Sequence, residues 1–266
     1  MSIKVKDGLD FDLSKLEDPA KAIEQEWLYE NDIGNYAASG IIGLNTRRSH
    51  GLFNIKDDND LPAFIILSHL QEDYYHGRQS RGLFCVEYES KLVCDGFGFL
   101  KSFKFLDYPV FSYEVDQVRI KKRIVLSNFS QRVIISYSVT GNIEPGSRLI
   151  IRPFFAFREV NRNIQPDDYV TTELFQENEQ YRFLPYPNAP EVFIWFSGGE
   201  LIHAPLWYHR FYYRNEEKTD ARQEDLLNPG FIEIPIKGET QIHFSVGLQK
   251  MPWNRILDEV KDIPFM

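Results

Sequence analysis

A period-two alternation of apolar with milder residues recurs through most of this chain, and it limits the fold more than any other feature. Val133, Ile135, Tyr137 and Val139 are interleaved with Ile134, Ser136 and Ser138. Ile242, Phe244, Val246 and Leu248 are interleaved with His243, Ser245 and Gly247, and Ile232, Ile234 and Ile236 with Glu233 and Pro235. Successive side chains of a strand point to opposite faces, so each run offers one apolar face to a core. Strand-like runs also span Ala63 to Leu70, Val110 to Val115, Val118 to Leu126, Arg148 to Phe157, Val192 to Phe196 and Trp207 to Tyr213. β-Branched and aromatic residues dominate them, as half-buried pleated surfaces favour.

Helical signals sit near the ends. Asp18-Pro19 ahead of Ala20 to Glu24 reads as a short helix with Asp at the cap and Pro in the first turn. Pro252 to Lys261 places Trp253, Ile256, Leu257 and Val260 on one stripe. Polar stretches from Asn161 to Asp168 and from Asn215 to Asp225 read as loops, and no linker or fixed-period repeat divides the chain. The expected fold is all-β: a large antiparallel sandwich with short terminal helices. It forms one domain over residues 1–266, with a candidate linker helix over 252–262.

Composition excludes several functions. Thirty Lys and Arg against 39 Asp and Glu give a net charge of −9, the wrong sign for a nucleic-acid binder. Apolar runs such as Phe64 to Leu67 fall far short of the ~18 residues of a membrane span. Lys4, Lys6, Asp7 and Asp10 interrupt any secretory apolar core, which points to the cytoplasm. Leu83 to Phe97 reads as a hairpin turning near Glu89-Ser90, with Cys85 opposite Cys94. A cross-strand disulfide is geometrically open there, but two buried thiols are the expectation in a reducing compartment. No cofactor or metal is expected. Gly96-Phe97-Gly98 lacks the rest of a dinucleotide fingerprint, and neither His69 and His76 nor His203 and His209 have further ligands at metal spacing.

One segment departs from the alternation. Between Glu26 and Phe53, Gly34, Gly40, Gly43 and Gly51 punctuate a stretch that carries Asn45, Arg47, Arg48 and His50. Adjacent arginines on an extended segment face opposite ways, so at most one of Arg47 and Arg48 enters a given site. These donors either satisfy buried backbone and carboxylates in a tight corner or serve a ligand. Trp207-Tyr208-His209-Arg210-Phe211-Tyr212-Tyr213 is a second candidate. Aromatic faces pack on the C–H faces of sugar rings, while charged and amide groups bond to hydroxyls. Strict alternation places Trp207, His209, Phe211 and Tyr213 on one face and Tyr208, Arg210 and Tyr212 on the other. Glu26, Asp32, Glu224 and Asp225 are the acids from which a catalytic pair would have to come. Trp195 is expected in the core.

The segment from Glu26 resembles the signature of the N-terminal domain of bacterial and archaeal glycogen debranching enzymes. It reads Glu26-Trp27, then Asn31 to Gly40, then Asn45-Thr46-Arg47-Arg48-Ser49-His50-Gly51-Leu52. Ile151 to Arg158, Trp207-Tyr208, Glu224-Asp225 and Pro229 to Glu233 extend the resemblance from about Glu26 to Leu248. Asn35 stands where the family usually has Gly, Ala38-Ser39-Gly40 replace Ser-Gly-Thr, and Ser49 replaces an aromatic. The resemblance implies a β-supersandwich similar to galactose mutarotase. It also implies a role in handling α-glucan (glycogen, maltooligosaccharide) beside an (α/α)6 amylo-α-1,6-glucosidase barrel, in cis or in trans. In relatives that barrel follows and carries the acid and base, whereas this chain ends soon after Leu248; catalytic residues are therefore not assigned. The ligand-binding candidates are Glu26, Trp27, Asn45, Arg47, Arg48, His50, Trp207 and Asp225. The alternative is a self-sufficient 4-α-glucanotransferase or mutarotase-like enzyme.

Overall fold

The computed structural model describes residues 9–13, 18–56, 63–89 and 91–265. Lys4, Lys6, Asp7 and the turn residue Ser90 lie outside them. The chain begins with β1 (Leu9–Asp12), α1 (Ala20–Ile23), β2 (Glu26–Glu30), β3 (Tyr36–Gly40), β4 (Gly51–Ile55), β5 (Phe64–His76) and β6 (Gln79–Gly82). It continues through β7 (Val86–Tyr88), β8 (Lys91–Val93), β9 (Leu100–Phe105), β10 (Pro109–Val115), β11 (Val118–Leu126), β12 (Arg132–Gly141) and β13 (Arg148–Glu159). Next come β14 (Leu174–Glu177), β15 (Gln180–Phe183), β16 (Val192–Phe196) and β17 (Glu200–Tyr212). Last are β18 (Gln223–Pro235), β19 (Thr240–Gly247) and α2 (Trp253–Asp258).

The strands form two antiparallel sheets. The first runs β1-β9-β10-β11-β12-β19-β16-β15-β14, and the second β2-β3-β4-β5-β13-β18-β17-β7-β8, with β6 on β5. Alternation did its expected work: Ile120, Ile124, Ile135, Val139 and Phe244 face Leu149, Ile151, Phe155 and Ile232 in one shared core. Burying each such side chain contributes about 1.5–3 kcal/mol. The fold is thus the expected all-β sandwich.

Two smaller apolar clusters cover the outer faces. Under α2, Val110, Val125, Ile134 and Trp195 meet Ile256 and Val260. Trp253 departs from the expected stripe: at the first position of α2 it is 45 % exposed, while Ile256, Leu257 and Val260 pack on the sheet. On the outer face of the second sheet, Tyr36, Ala38 and Ile65 join Phe154, Ala156, Phe211 and Leu226. Asp18 caps α1 as expected, its Oδ1 accepting the Ala20 N–H at 2.9 Å. Among the described residues no helix is long and apolar enough to cross a membrane.

Three departures from the sequence reading bear on function. First, Glu224 and Asp225 belong to a strand rather than to the polar loop, since β18 begins at Gln223. Second, Cys85 and Cys94 are joined in a disulfide instead of standing as two thiols. The expected hairpin is there, with Val86 opposite Val93, and it brings the two Cα atoms to 3.9 Å. Third, strict alternation fails in β17. Phe211 pairs with Glu224 and Tyr208 with Leu226, so three steps on β17 oppose two on β18. The inserted residue is a β-bulge, with Arg210 at φ 63°. Tyr208 and Phe211 therefore share a face, both packed on Phe154 with ring centroids 4.8 Å and 5.6 Å away. Trp207 turns toward the inter-sheet core instead.

Candidate functional site

The Gly-punctuated segment folds into a corner that delivers three charged or titratable groups to the outer face of the second sheet. β2 pairs with β3 so that Glu26 lies opposite Gly40. The chain then turns tightly: the Gly40 N–H donates to the Leu44 carbonyl at 2.9 Å, and Gly43 adopts φ 78°, which favours glycine. A second turn closes when the His50 N–H donates to the Arg47 carbonyl at 3.0 Å. Gly51 follows because any Cβ there would overlap the Asn54 side-chain amide.

At the centre of the corner is Glu26, 8 % exposed. Its Oε1 accepts from the Thr46 hydroxyl at 2.5 Å and from Asn215 Nδ2 at 3.1 Å, and its Oε2 accepts from Arg47 Nε at 2.9 Å. Burial pushes this carboxyl up, but the Thr46, Arg47 and Asn215 bonds and the nearby His50 outweigh it and leave it below the usual carboxylate value. His50 Nε2 stands 3.9 Å from Glu26 Oε1. Its Nδ1 accepts the Thr46 backbone N–H at 3.2 Å, which assigns the proton of the neutral ring to Nε2. Burial lowers the His50 pKa to about 4 against the pull of Glu26. At neutral pH the corner thus holds a carboxylate, a guanidinium and a neutral imidazole donor.

These groups line an open cleft walled by Leu28, Tyr36 and Val160. Lys56 stands over the Tyr36 ring, 5.6 Å from its centroid. The Tyr36 hydroxyl donates to the Ser49 carbonyl at 3.3 Å, so β3 supplies an aromatic wall beside the position where Ser49 brings none. An apolar wall with convergent polar groups at one end is the general form of a small-ligand site.

Of the other candidates, Trp27 borders the cleft and the rest lie elsewhere. Trp27 is buried in the core, its Nε1–H donating to the Gly40 carbonyl at 3.0 Å and its ring near Phe103 and Phe111. Asn45 is tied to Ser39 at 2.8 Å and to the Ser68 carbonyl at 2.9 Å. Arg48 turns away from Arg47, although the two stand in a turn rather than on the extended segment expected: it pairs with Glu216 and donates to the Asn161 carbonyl at 2.9 Å. Asp225 braces the bulge, accepting from the Arg210 N–H at 2.8 Å and from His209 Nδ1 at 2.9 Å. Asp32 lies beyond the end of β2 and lines a different hollow, with Tyr29 and Asp107. Glu224 is sealed in an ion pair with Arg158.

Thr46 and Asn215 complete the corner and escaped the sequence reading. Thr46 is an ordinary residue between two named donors. Asn215 comes from a loop 189 residues beyond Glu26, and only its place at the head of the polar stretch marked it.

Fold and site together define an antiparallel β-sandwich domain with an open, polar-ended cleft on the outer face of one sheet. The chain belongs to the family described as glycogen debranching enzyme N terminal, whose sequence profile matches residues 25–243. No curated protein matches it. Similar solved structures include a GalM/aldose epimerase homologue from C. elegans, 8 % identical with TM-score 0.45, covering 83 % of this chain and 97 % of that one. A bacterial glucoamylase complexed with acarbose is 10 % identical with TM-score 0.42; the match covers 95 % of this chain and 39 % of the glucoamylase.

Proposed function

We propose that this domain is a glucan-handling accessory unit that holds α-glucan (glycogen or maltooligosaccharide) in the Glu26–Arg47–His50 cleft. It works with an (α/α)6 amylo-α-1,6-glucosidase barrel, in cis or in trans, in glycogen breakdown in the cytoplasm, and does not cleave bonds alone. Family membership supports the glucan. The observation that carries the reading is the cleft itself, where a fixed imidazole N–H, a guanidinium and a carboxylate meet an apolar wall. A pyranose ring lays its C–H face on Tyr36 and Leu28 and offers its hydroxyls to those three groups.

The carboxylates support a role without hydrolysis. Glycoside cleavage normally uses two carboxyl groups facing one bond. Of the four acids considered, Glu26 is held by Thr46, Arg47 and Asn215. Glu224 is buried against Arg158, Asp225 is spent on the bulge, and Asp32 lines another hollow. Calorimetry with maltopentaose tests the reading: wild type gives binding heat, and His50→Ala and Glu26→Gln weaken it at least ~10-fold, a loss of about 1.4 kcal/mol. Equal heats for all three proteins overturn it. Incubating the chain with maltopentaose leaves chain lengths unchanged; redistribution to longer and shorter products would instead make it a glucanotransferase.

A further inference from the structure

The backbone of the β7–β8 hairpin joins its sheet at few points, although Val86, Tyr88 and Val93 pack on the outer apolar cluster. Its strands have three residues each, and it meets β17 in a single register pair, Phe211 with Tyr88, supplemented by the Glu89 N–H donating to the Arg210 carbonyl at 3.1 Å. A two-stranded hairpin of this length is marginal on its own. The Cys85–Cys94 disulfide closes its open end.

The same hairpin anchors the loop that completes the cleft. Glu87 accepts from Arg214 through both oxygens, at 2.7 Å from Nε and 2.8 Å from Nη2. The residues after Arg214 reach the glycine-rich corner directly. The Asn215 N–H donates to the Thr46 carbonyl at 2.9 Å, its Nδ2 to Glu26 Oε1 at 3.1 Å, and its carbonyl accepts Arg47 Nη1 at 3.3 Å. Glu216 Oε1 accepts the Arg48 N–H at 2.9 Å. One ion pair therefore separates the disulfide-closed hairpin from three of the cleft's hydrogen bonds.

We propose that the Cys85–Cys94 disulfide is a redox-sensitive latch on the cleft: oxidised, it fixes the hairpin and, through Glu87 and Arg214, the loop that holds Asn215 against Glu26. The reductant is a dithiol. Its thiolate attacks the Cys94 sulfur, since Cys94 is half-buried and Cys85 fully buried, and the Cys85 thiolate leaves and takes a proton. The second thiol of the reductant then attacks the mixed disulfide, releasing Cys94 as a thiol. Two electrons and two protons pass to the protein, and the dithiol becomes a disulfide. Without the cross-link the hairpin opens more often, Glu87 is drawn into solvent, and the Arg214–Glu216 loop loses one of its anchors, keeping the Arg222 Nε bond to the Glu216 carbonyl at 2.7 Å. Disulfides that persist only transiently in a reducing compartment commonly serve such sensing.

Hydrogen exchange on the whole chain, with and without dithiothreitol, tests the latch. Alkylation before and after reduction counts the thiols. Expected are no alkylatable thiol before reduction and two after it. Exchange should accelerate ~10-fold at 86–89 and ~3-fold at 214–216 in the reduced protein, as local opening becomes easier. Cys94→Ser should behave like the reduced protein in either buffer; if that variant does not fold, reduction of the wild type decides. Two thiols already free in air, or acceleration confined to 83–97, overturns the proposal. A third readout rests on the glucan reading above: maltopentaose affinity falls ~3–10-fold on reduction, as expected when a binding-competent state is depopulated by that factor. Absence of maltopentaose binding in both states would refute that reading, while the exchange data would still decide the latch.

Discussion

Arg158 and Glu224 form an ion pair sealed inside the protein beneath the corner that carries Arg48, with side chains 4 % and 0 % exposed. Every oxygen and most nitrogens of the pair are engaged. Glu224 Oε1 accepts from Arg158 Nε and from the Ile164 N–H; Oε2 accepts from Arg158 Nη2 at 2.8 Å and from the Tyr213 hydroxyl at 2.5 Å. Arg158 Nη2 also donates to the Arg48 carbonyl at 2.8 Å, so the pair supports the backbone of the cleft. Burial would depress the Arg158 pKa, but Glu224 reverses that and raises it above its ordinary value.

Removing one charge from this pair strands the other in a low-dielectric interior. Glu224→Gln is expected to cost about 3–5 kcal/mol, measured by urea denaturation. Replacing both partners with apolar residues, as in Arg158→Met with Glu224→Leu, is expected to cost less than the sum of the single changes. A residual loss remains because the Ile164 N–H, the Arg48 carbonyl and the Tyr213 hydroxyl lose their partners. A loss below ~1 kcal/mol for Glu224→Gln contradicts the burial of the pair.

Acid should destabilise the protein well above the range where carboxylates alone are protonated. Burial lowers the pKa of His50 to about 4, of His69 to about 3 and of His243 to about 4. All three are therefore neutral in the folded protein at values where the unfolded chain, near the ordinary 6.5, takes up protons. The stability they confer is complete above pH 6.5 and is lost as pH falls toward 4, because the unfolded state binds more protons across that window. Each unit of pKa difference is worth about 1.4 kcal/mol, so the loss by pH 4 amounts to several kcal/mol. Denaturation midpoints measured between pH 7.5 and 4.5 should fall steadily below 6.5, and substituting His243 with Gln should flatten the slope.

How much was legible in the sequence follows from what alternation encodes. β11 fell within its expected bounds because its inward face is mainly apolar while Arg119, Lys121 and Arg123 mark the other, and β16 because it is a short, unbroken apolar run, buried on both faces. β3, Tyr-Ala-Ala-Ser-Gly, is buried on both faces and has no alternation to read. The β17 bulge was illegible for another reason: an inserted residue depends on Asp225 of the neighbouring strand offering its carboxylate to the Arg210 N–H, not on anything within the run. In the site, Glu26, Arg47 and His50 stood out as a cluster of unusual residue types, but nothing local separates Arg47, which enters the cleft, from Arg48, which leaves it. That choice depends on Glu216, 168 residues away, holding the Arg48 N–H.

The bulge gives a test that separates positioning from bulk stability. Asp225→Ala removes the exposed bonds to the Arg210 N–H and to His209, at an expected cost of about 0.5–1.5 kcal/mol, since water can take up the freed donor. Arg210 is held at φ 63°, so without the carboxylate the extra residue tends to relax toward regular pairing. Regular pairing would slide Tyr208 off Phe154 and Trp207 out of the core. The near-ultraviolet circular dichroism of the variant should weaken while its far-ultraviolet spectrum holds, and an unchanged near-ultraviolet spectrum would mean that the bulge is fixed by packing alone.

Trp27 separates a ligand role from a structural one. It was a binding candidate by sequence, and its neighbour Glu26 lies in the cleft, yet the indole is 1 % exposed among Phe103, Phe105 and Phe111. Trp27→Ala should cost about 3–5 kcal/mol, the range for emptying a large aromatic site in a close-packed core. Trp27→Phe keeps most of the volume and removes one of two hydrogen bonds to the Gly40 carbonyl, which keeps the Gly43 N–H at 2.9 Å, so about 0.5–1.5 kcal/mol is expected for the lost bond. Because the ring backs the cleft from inside, the Phe variant should retain maltopentaose affinity within ~3-fold of wild type at a temperature where both are folded, since 3-fold is only about 0.6 kcal/mol. A larger loss of affinity without a matching loss of stability would return Trp27 to the binding surface.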